Sequence, residues 1–219
     1  MTRLLLAISL ICTILGFFVK KKYQKTVLSV IMCAVLAIWL YLHGLEDFTY
    51  FSIVKLLFCI AASYFLYVVS LFIVGTKFTK ENLFPKGCLK LPKRQRTWFI
   101  AESSRNLINS TYEELIYRWF LQNAVYVLTE NAVLSISITV IVFFGVHLKH
   151  KIAIVQMIDI FVFSVFISTL YYWFVNPLHC IVIHIARNQL IINQKYLSSQ
   201  RENEKFAKYI KIMKGWKEK

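Results

Sequence analysis

The chain has 219 residues, of which 58% are hydrophobic and only 17% charged, with a mean hydropathy of +0.58. A soluble domain is normally about 45–50% apolar and about 25% charged, so these values exclude an ordinary soluble fold and point to an integral membrane protein. The net charge of +15 then reports on loop placement, since basic residues collect in cytoplasmic loops, and no nucleic-acid partner is expected.

In chain order, Leu4 to Val19 is a short apolar run followed at once by Lys20-Lys21-Lys22. No small-residue cleavage site follows it, so it reads as a membrane helix and not a signal peptide. Val27 to Leu42 is the second span, ending in the acidic turn His43 to Asp47, and Phe51 to Val74 is the third. Lys55 lies near enough to the start of that span to snorkel. Gly75 to Arg96 is a long basic loop in which Pro85 and Pro92 argue against a continuous helix. Trp98 to Asn109 has the mixed pattern of an interfacial segment. Ser110 and Thr111, three residues before Glu113 and Glu114, give a capping signal for the start of a fourth span that runs to about Leu128.

Thr129-Glu130-Asn131 is a tight turn, and Ala132 to Leu148 is the fifth span, followed by the basic Lys149-His150-Lys151. Ile152 to Val175 is the sixth and contains Asp159. Pro177 suits the first position of the seventh, Leu178 to about Ile192. The tail from Gln194 is basic. The five cysteines, Cys12, Cys33, Cys59, Cys88 and Cys180, show no metal-binding spacing and read as reduced packing residues.

The fold expected is therefore all-α, a polytopic transmembrane bundle of about seven helices. Three segments organise it: residues 1–97 with the first helices and the basic loop, a core at 98–195, and a basic tail at 196–219. The basic segments fall on alternate turns, so the positive-inside rule places the N-terminus outside and the C-terminus in the cytoplasm. This is a multi-pass protein of the cell membrane. Its richness in lysine and isoleucine points to an AT-rich bacterial source.

Charged side chains cost roughly 2.5–3.5 kcal/mol each at mid-membrane depth on insertion scales, so those that occur pair, face the bundle interior or do work. Glu114 and Arg118 are four apart and share a helical face, which suits a structural ion pair. Glu113 is rotated by about 100° and is left without that partner. His147 ends the fifth span, and His184 and Asn188 lie one turn apart on the seventh. Under the expected topology all four converge on the cytoplasmic half, as a site with a base, a positioned water and oxyanion donors requires. Arg187 reads as snorkelling, Asp159 as a packing residue, and His43, His150 and His179 as helix-end residues without a role.

Glu113-Glu114-x-x-x-Arg118, Phe143-x-x-x-His147 and His184-x-x-x-Asn188, in that order on separate late helices, resemble the signature of the CAAX-protease and bacteriocin-processing (CPBP, or Abi) family. The resemblance covers about residues 98 to 195. It implies an intramembrane endopeptidase acting on a membrane-associated peptide or lipidated protein, with roles in bacteriocin or pheromone processing or in self-immunity. It implies that Glu113 and His147 activate water, that His184 and Asn188 polarise the scissile carbonyl, and that Glu114 and Arg118 hold the helix in register. Membrane lipids are the other expected partner, and the sequence leaves the oligomeric state open. Glu113, His147 and His184 would also suit Zn²⁺ or another divalent metal with one open position. The same groups suit a metal-free glutamate base, and the sequence does not choose between them. The alternative function is a non-catalytic immunity protein that binds a bacteriocin. A coupled transporter is disfavoured by the lack of an internal repeat.

Overall fold

A computed structural model describes residues 53–76, 79–83, 93–148, 153–174 and 176–195. The two expected spans at Leu4 to Val19 and Val27 to Leu42, most of the basic loop, and the tail lie outside the described residues. All regular structure among the described residues is helical.

Helix α1, Ile53–Ile73, is apolar and includes Ser63, whose hydroxyl donates to the Cys59 carbonyl at 2.6 Å, and Ser70, whose Oγ lies 2.8 Å from the Leu66 carbonyl. Bonding back to the preceding turn lets serine sit inside an apolar helix without an orphaned hydroxyl. The helix stops at Gly75, which has φ +70. There the Thr76 N–H reaches the Leu71 carbonyl and the Gly75 N–H reaches that of Phe72, the crossed pair of a Schellman cap. The one-turn helix α2, Lys80–Leu83, is tied back to α1 by the Tyr67 hydroxyl, which donates to the Asn82 carbonyl.

Helix α3, Lys93–Glu114, continues into a π-helical stretch, Leu115–Gln122, and then into α4, Asn123–Thr129, as one unbroken rod. The expected helix start at Ser110 or Thr111 is therefore corrected. Ser110 donates to Asn106 Oδ1 and Thr111 to the Leu107 carbonyl, so neither hydroxyl caps a helix end; both are satisfied within a helix already under way. The rod ends where Glu130 adopts a left-handed conformation and Asn131 Oδ1 accepts from the Leu134 N–H. That side chain caps α5, Ala132–His147.

Helix α6, Ile154–Phe174, follows, and then α7 at 177–195. Pro177 opens α7 as expected, and Asn176 Oδ1 accepts from the Leu178 N–H at 2.9 Å, a contact that satisfies one of the first N–H groups of the helix.

Helices α1 and α6 are long and apolar enough to cross a membrane; α5 is apolar but shorter. Large apolar side chains such as Val54, Phe72, Ile141 and Trp173 remain exposed, as a lipid-facing surface requires. Inside, Cys59, Leu66, Trp119, Phe120, Phe143, Phe163, Ile167 and Ile183 form one core shared by α1, the π stretch, α5, α6 and α7. Cys59 and Cys180 are buried free thiols within or beside it.

The π stretch is locked to α6 by a ladder of polar contacts. Arg118 Nη2 donates to Ser164 Oγ at 3.2 Å, Gln122 Nε2 to the Ser168 carbonyl at 2.8 Å, and Asn123 Nδ2 to the Tyr171 hydroxyl at 2.7 Å. Ser164, Ser168 and Tyr171 follow an i, i+4, i+7 pattern and so share one face of α6. The two small serines are fully buried and let the backbones approach, as small residues do in membrane bundles. This ladder fixes the rod, and with it the carboxylates just before the π stretch, against the other helices.

Candidate active site

Glu113 and Glu114 are the last two residues before the π stretch, and they face different surroundings. Glu114 is completely buried. Its Oε2 lies 3.4 Å from Arg118 Nε, and its Oε1 is 2.6 Å from His184 Nδ1. The ion pair with Arg118 is the one expected from the i, i+4 spacing. The bond to His184 is a second function that spacing could not reveal, since 70 residues separate the two. A carboxylate only accepts, so Nδ1 of His184 carries the hydrogen, and the ring is fixed with Nε2 turned the other way. There Nε2 lies 3.9 Å from Glu113 Oε2. Glu113 retains about a quarter of its side-chain exposure and opens on a cavity of about 460 Å³.

Arg118 is also fully buried, and its guanidinium lies 4.1 Å from the centre of the Phe143 ring. The same ring borders both imidazoles, His147 at 4.5 Å and His184 at 6.5 Å between centroids. The His147 Nδ1 is 2.8 Å from the Phe143 carbonyl. Because a carbonyl only accepts, His147 donates from Nδ1.

The cavity is walled by α1, α3, α5, α6 and α7. It brings together Glu113, His147, His184 and Asn188, all four catalytic candidates of the sequence reading. Glu114 and Arg118 stand behind them.

Two residues depart from expectation. Arg187 does not snorkel: it is buried, donates to Asp159 Oδ2 and, at 2.8 Å, to Ser70 Oγ, and lies 4.7 Å from the Phe163 ring. Asp159 is correspondingly an ion-pair partner and not a mere packing residue. A signal existed, because an unpaired Asp and an unpaired Arg in neighbouring apolar helices are each costly and together neutral. Asn106, unassigned from sequence, and Ser110, expected only as a helix cap, are buried too and connect α3 to α7 through the Ile185 carbonyl and Asn188. His179 is buried and stacked on Phe174, away from the cavity.

Among the described residues, no three His, Cys, Asp or Glu side chains are grouped so as to share a metal ion. Glu113, His147 and His184 supply the donor types a divalent metal takes, and the contacts of the two Nδ1 atoms to Glu114 and to the Phe143 carbonyl leave the Nε2 atoms as the nitrogens that would hold it.

Against known proteins, residues 97–190 match the family model described as type II CAAX prenyl endopeptidase Rce1-like. That stretch is similar to the Rce1-like CAAX endopeptidases. It agrees with the CPBP resemblance carried by the three motifs. The comparisons with curated proteins and with solved structures give no significant match. The matched domain contains Glu113, Glu114, Arg118, His147, His184 and Asn188, as well as Asp159 and Arg187. The match excludes α1, so Ser70 reaches the cavity from outside the matched stretch.

Proposed function

We propose that the chain is an intramembrane endopeptidase that hydrolyses a peptide bond in a membrane-associated peptide or lipidated protein, with Glu113 as the base. The observation that carries this is the division of labour between adjacent glutamates: Glu114 is consumed by Arg118 and His184, while Glu113 faces the cavity beside His184. A water held between Glu113 and His147 gives one proton to Glu113 as its oxygen attacks the scissile carbonyl carbon. The carbonyl oxygen takes up the negative charge and is received by Nε2–H of His184 and Nδ2–H of Asn188. Collapse breaks the C–N bond, and Glu113 returns the proton to the leaving amine.

In this role Glu114 holds the Nδ1 side of His184 and leaves the Nε2 side to the substrate. The Glu114–His184 bond orients the ring as a carboxylate orients a catalytic histidine elsewhere.

The test is cleavage by the purified full chain in lipid vesicles, using a prenylated CAAX-type peptide and its unprenylated counterpart, followed by mass spectrometry in ¹⁸O-labelled water. The expected result is one internal cut, with one labelled oxygen in the new carboxyl group, that depends on Glu113. Identical fragments from the Glu113→Gln protein would sink the reading.

The proposed setting is a seven-helix bundle with the N-terminus outside and the cavity toward the cytoplasm, as the one-sided basic loops support. Cys88, in the long basic loop, should react with an impermeant thiol reagent only after cell lysis. Labelling in intact cells would invert the topology.

A further inference from the structure

We propose that Arg187 is a positioning residue that fixes which end of the Asn188 amide faces the substrate. This rests on the oxyanion role given to Asn188 above. An asparagine amide is nearly symmetric in shape, but its two ends have opposite hydrogen-bonding character. Presented with its oxygen toward the scissile carbonyl, it would repel the developing charge it is meant to stabilise.

Two chains of hydrogen bonds decide the orientation, one from each side. On the first, Arg187 Nη1 donates to Asn188 Oδ1 at 3.0 Å. Arginine has no acceptor, so only the oxygen can face it. Arg187 is itself held by Asp159 on α6 and by Ser70 on α1, and Ser70 in turn donates to Asp159 at 2.6 Å.

On the second side, Asn106 Nδ2 donates to the Ile185 carbonyl at 3.1 Å, which leaves its Oδ1 facing Ser110. The Ser110 hydroxyl spends its only hydrogen on that oxygen, at 2.9 Å. Ser110 can then only accept, and Asn188 Nδ2 is the group that approaches it, at 3.5 Å. Both chains require the same orientation. The second hydrogen on Nδ2 is left for the cavity that Asn188 lines.

The Arg187 side of the clamp reaches beyond the matched family domain through Ser70, so α1 becomes part of the catalytic geometry. A guanidinium is also needed for its fork: one end meets Asp159 and Ser70 while the other meets Asn188. A lysine ammonium is a compact charge that can serve the carboxylate but lacks this planar reach.

The experiment is a double-mutant cycle in kcat and KM on the full chain in lipid vesicles, with the prenylated peptide as substrate. Asn188→Ala should lower kcat by about 10²–10³-fold, the scale of one oxyanion donor. Arg187→Lys retains a charge for Asp159 and should accumulate. It should lower kcat by about tenfold with KM unchanged, and should cost nothing further in the Asn188→Ala background, because the two act as one unit. Ser70→Ala is the milder second variant, and its smaller loss in kcat should likewise vanish once Asn188 is absent. Equal losses from Arg187→Lys in both backgrounds would overturn the positioning role while leaving the peptidase reading intact. Asn188→Ala that cleaves like the parent would overturn the oxyanion assignment on which the proposal stands.

Discussion

Two buried arginines make nearly the same local arrangement in different parts of the molecule. Arg118 pairs with Glu114, touches a serine on α6 and lies over Phe143. Arg187 pairs with Asp159, touches a serine on α1 and lies over Phe163. Each presents its neighbourhood with one oriented polar group, His184 in the first case and Asn188 in the second. The difference lies in how each pair is assembled. Glu114 and Arg118 belong to one rod and stay neighbours as long as it is helical. Asp159 and Arg187 come from α6 and α7 and meet only when the bundle is packed. The first pair makes a rigid mount for an imidazole, and the second is a clasp between helices. The Arg118 pair is fully enclosed, whereas the Asp159 carboxylate keeps some exposure at the cavity.

That contrast can be broken by removing each guanidinium. Arg118→Met strands Glu114 where no water can reach it, and loss of one partner of a buried pair typically costs about 3–5 kcal/mol. The variant should nearly vanish from the membrane fraction, and adding Glu114→Met should restore part of the protein. Arg187→Met should be milder, at about 1–3 kcal/mol, because Asp159 keeps its Ser70 bond and partial solvent access. Membrane abundance and thermal denaturation of both variants give the ranking. An Arg187→Met protein that is scarcer than Arg118→Met would reverse it and show the clasp to be the stronger element.

The smallest expected effect concerns metal. The candidate donors are not grouped to share an ion among the described residues, so protein freed of metal, as verified by elemental analysis, should cleave at the parent rate. Loss of activity on chelation with recovery in zinc would move Glu113, His147 and His184 from a base and its neighbours to a ligand set.

The same contrast explains what was legible in the sequence. Glu114 with Arg118 could be read because helical spacing alone brings them together. The motifs on α3, α5 and α7 could be read as convergent because apolar runs and turn residues delimit the helices, and Asn131, Asn176 and Pro177 punctuate the chain where expected. The Glu114–His184 and Asp159–Arg187 contacts were not legible, since they depend on the rotation of one helix against another. Ser110 misled because the residue type that caps a helix also satisfies itself inside one. The π stretch was not legible either, for Arg118 to Gln122 are all buried, the polar Arg118 and Gln122 with the rest, so no exposed face marks its turn.

The central claim is that adjacent glutamates do different work, and paired isosteric variants test it most directly. Cleavage rate per molecule and membrane abundance would be measured for Glu113→Gln and Glu114→Gln beside the parent. Glu113→Gln should accumulate like the parent and lose about 10²–10⁴ in rate, the usual cost of removing a general base. Glu114→Gln should lose abundance because Arg118 is left without its counter-charge, and should lose rate as well because His184 is held by a weaker partner. Full cleavage by Glu113→Gln, at parental abundance, would contradict the account.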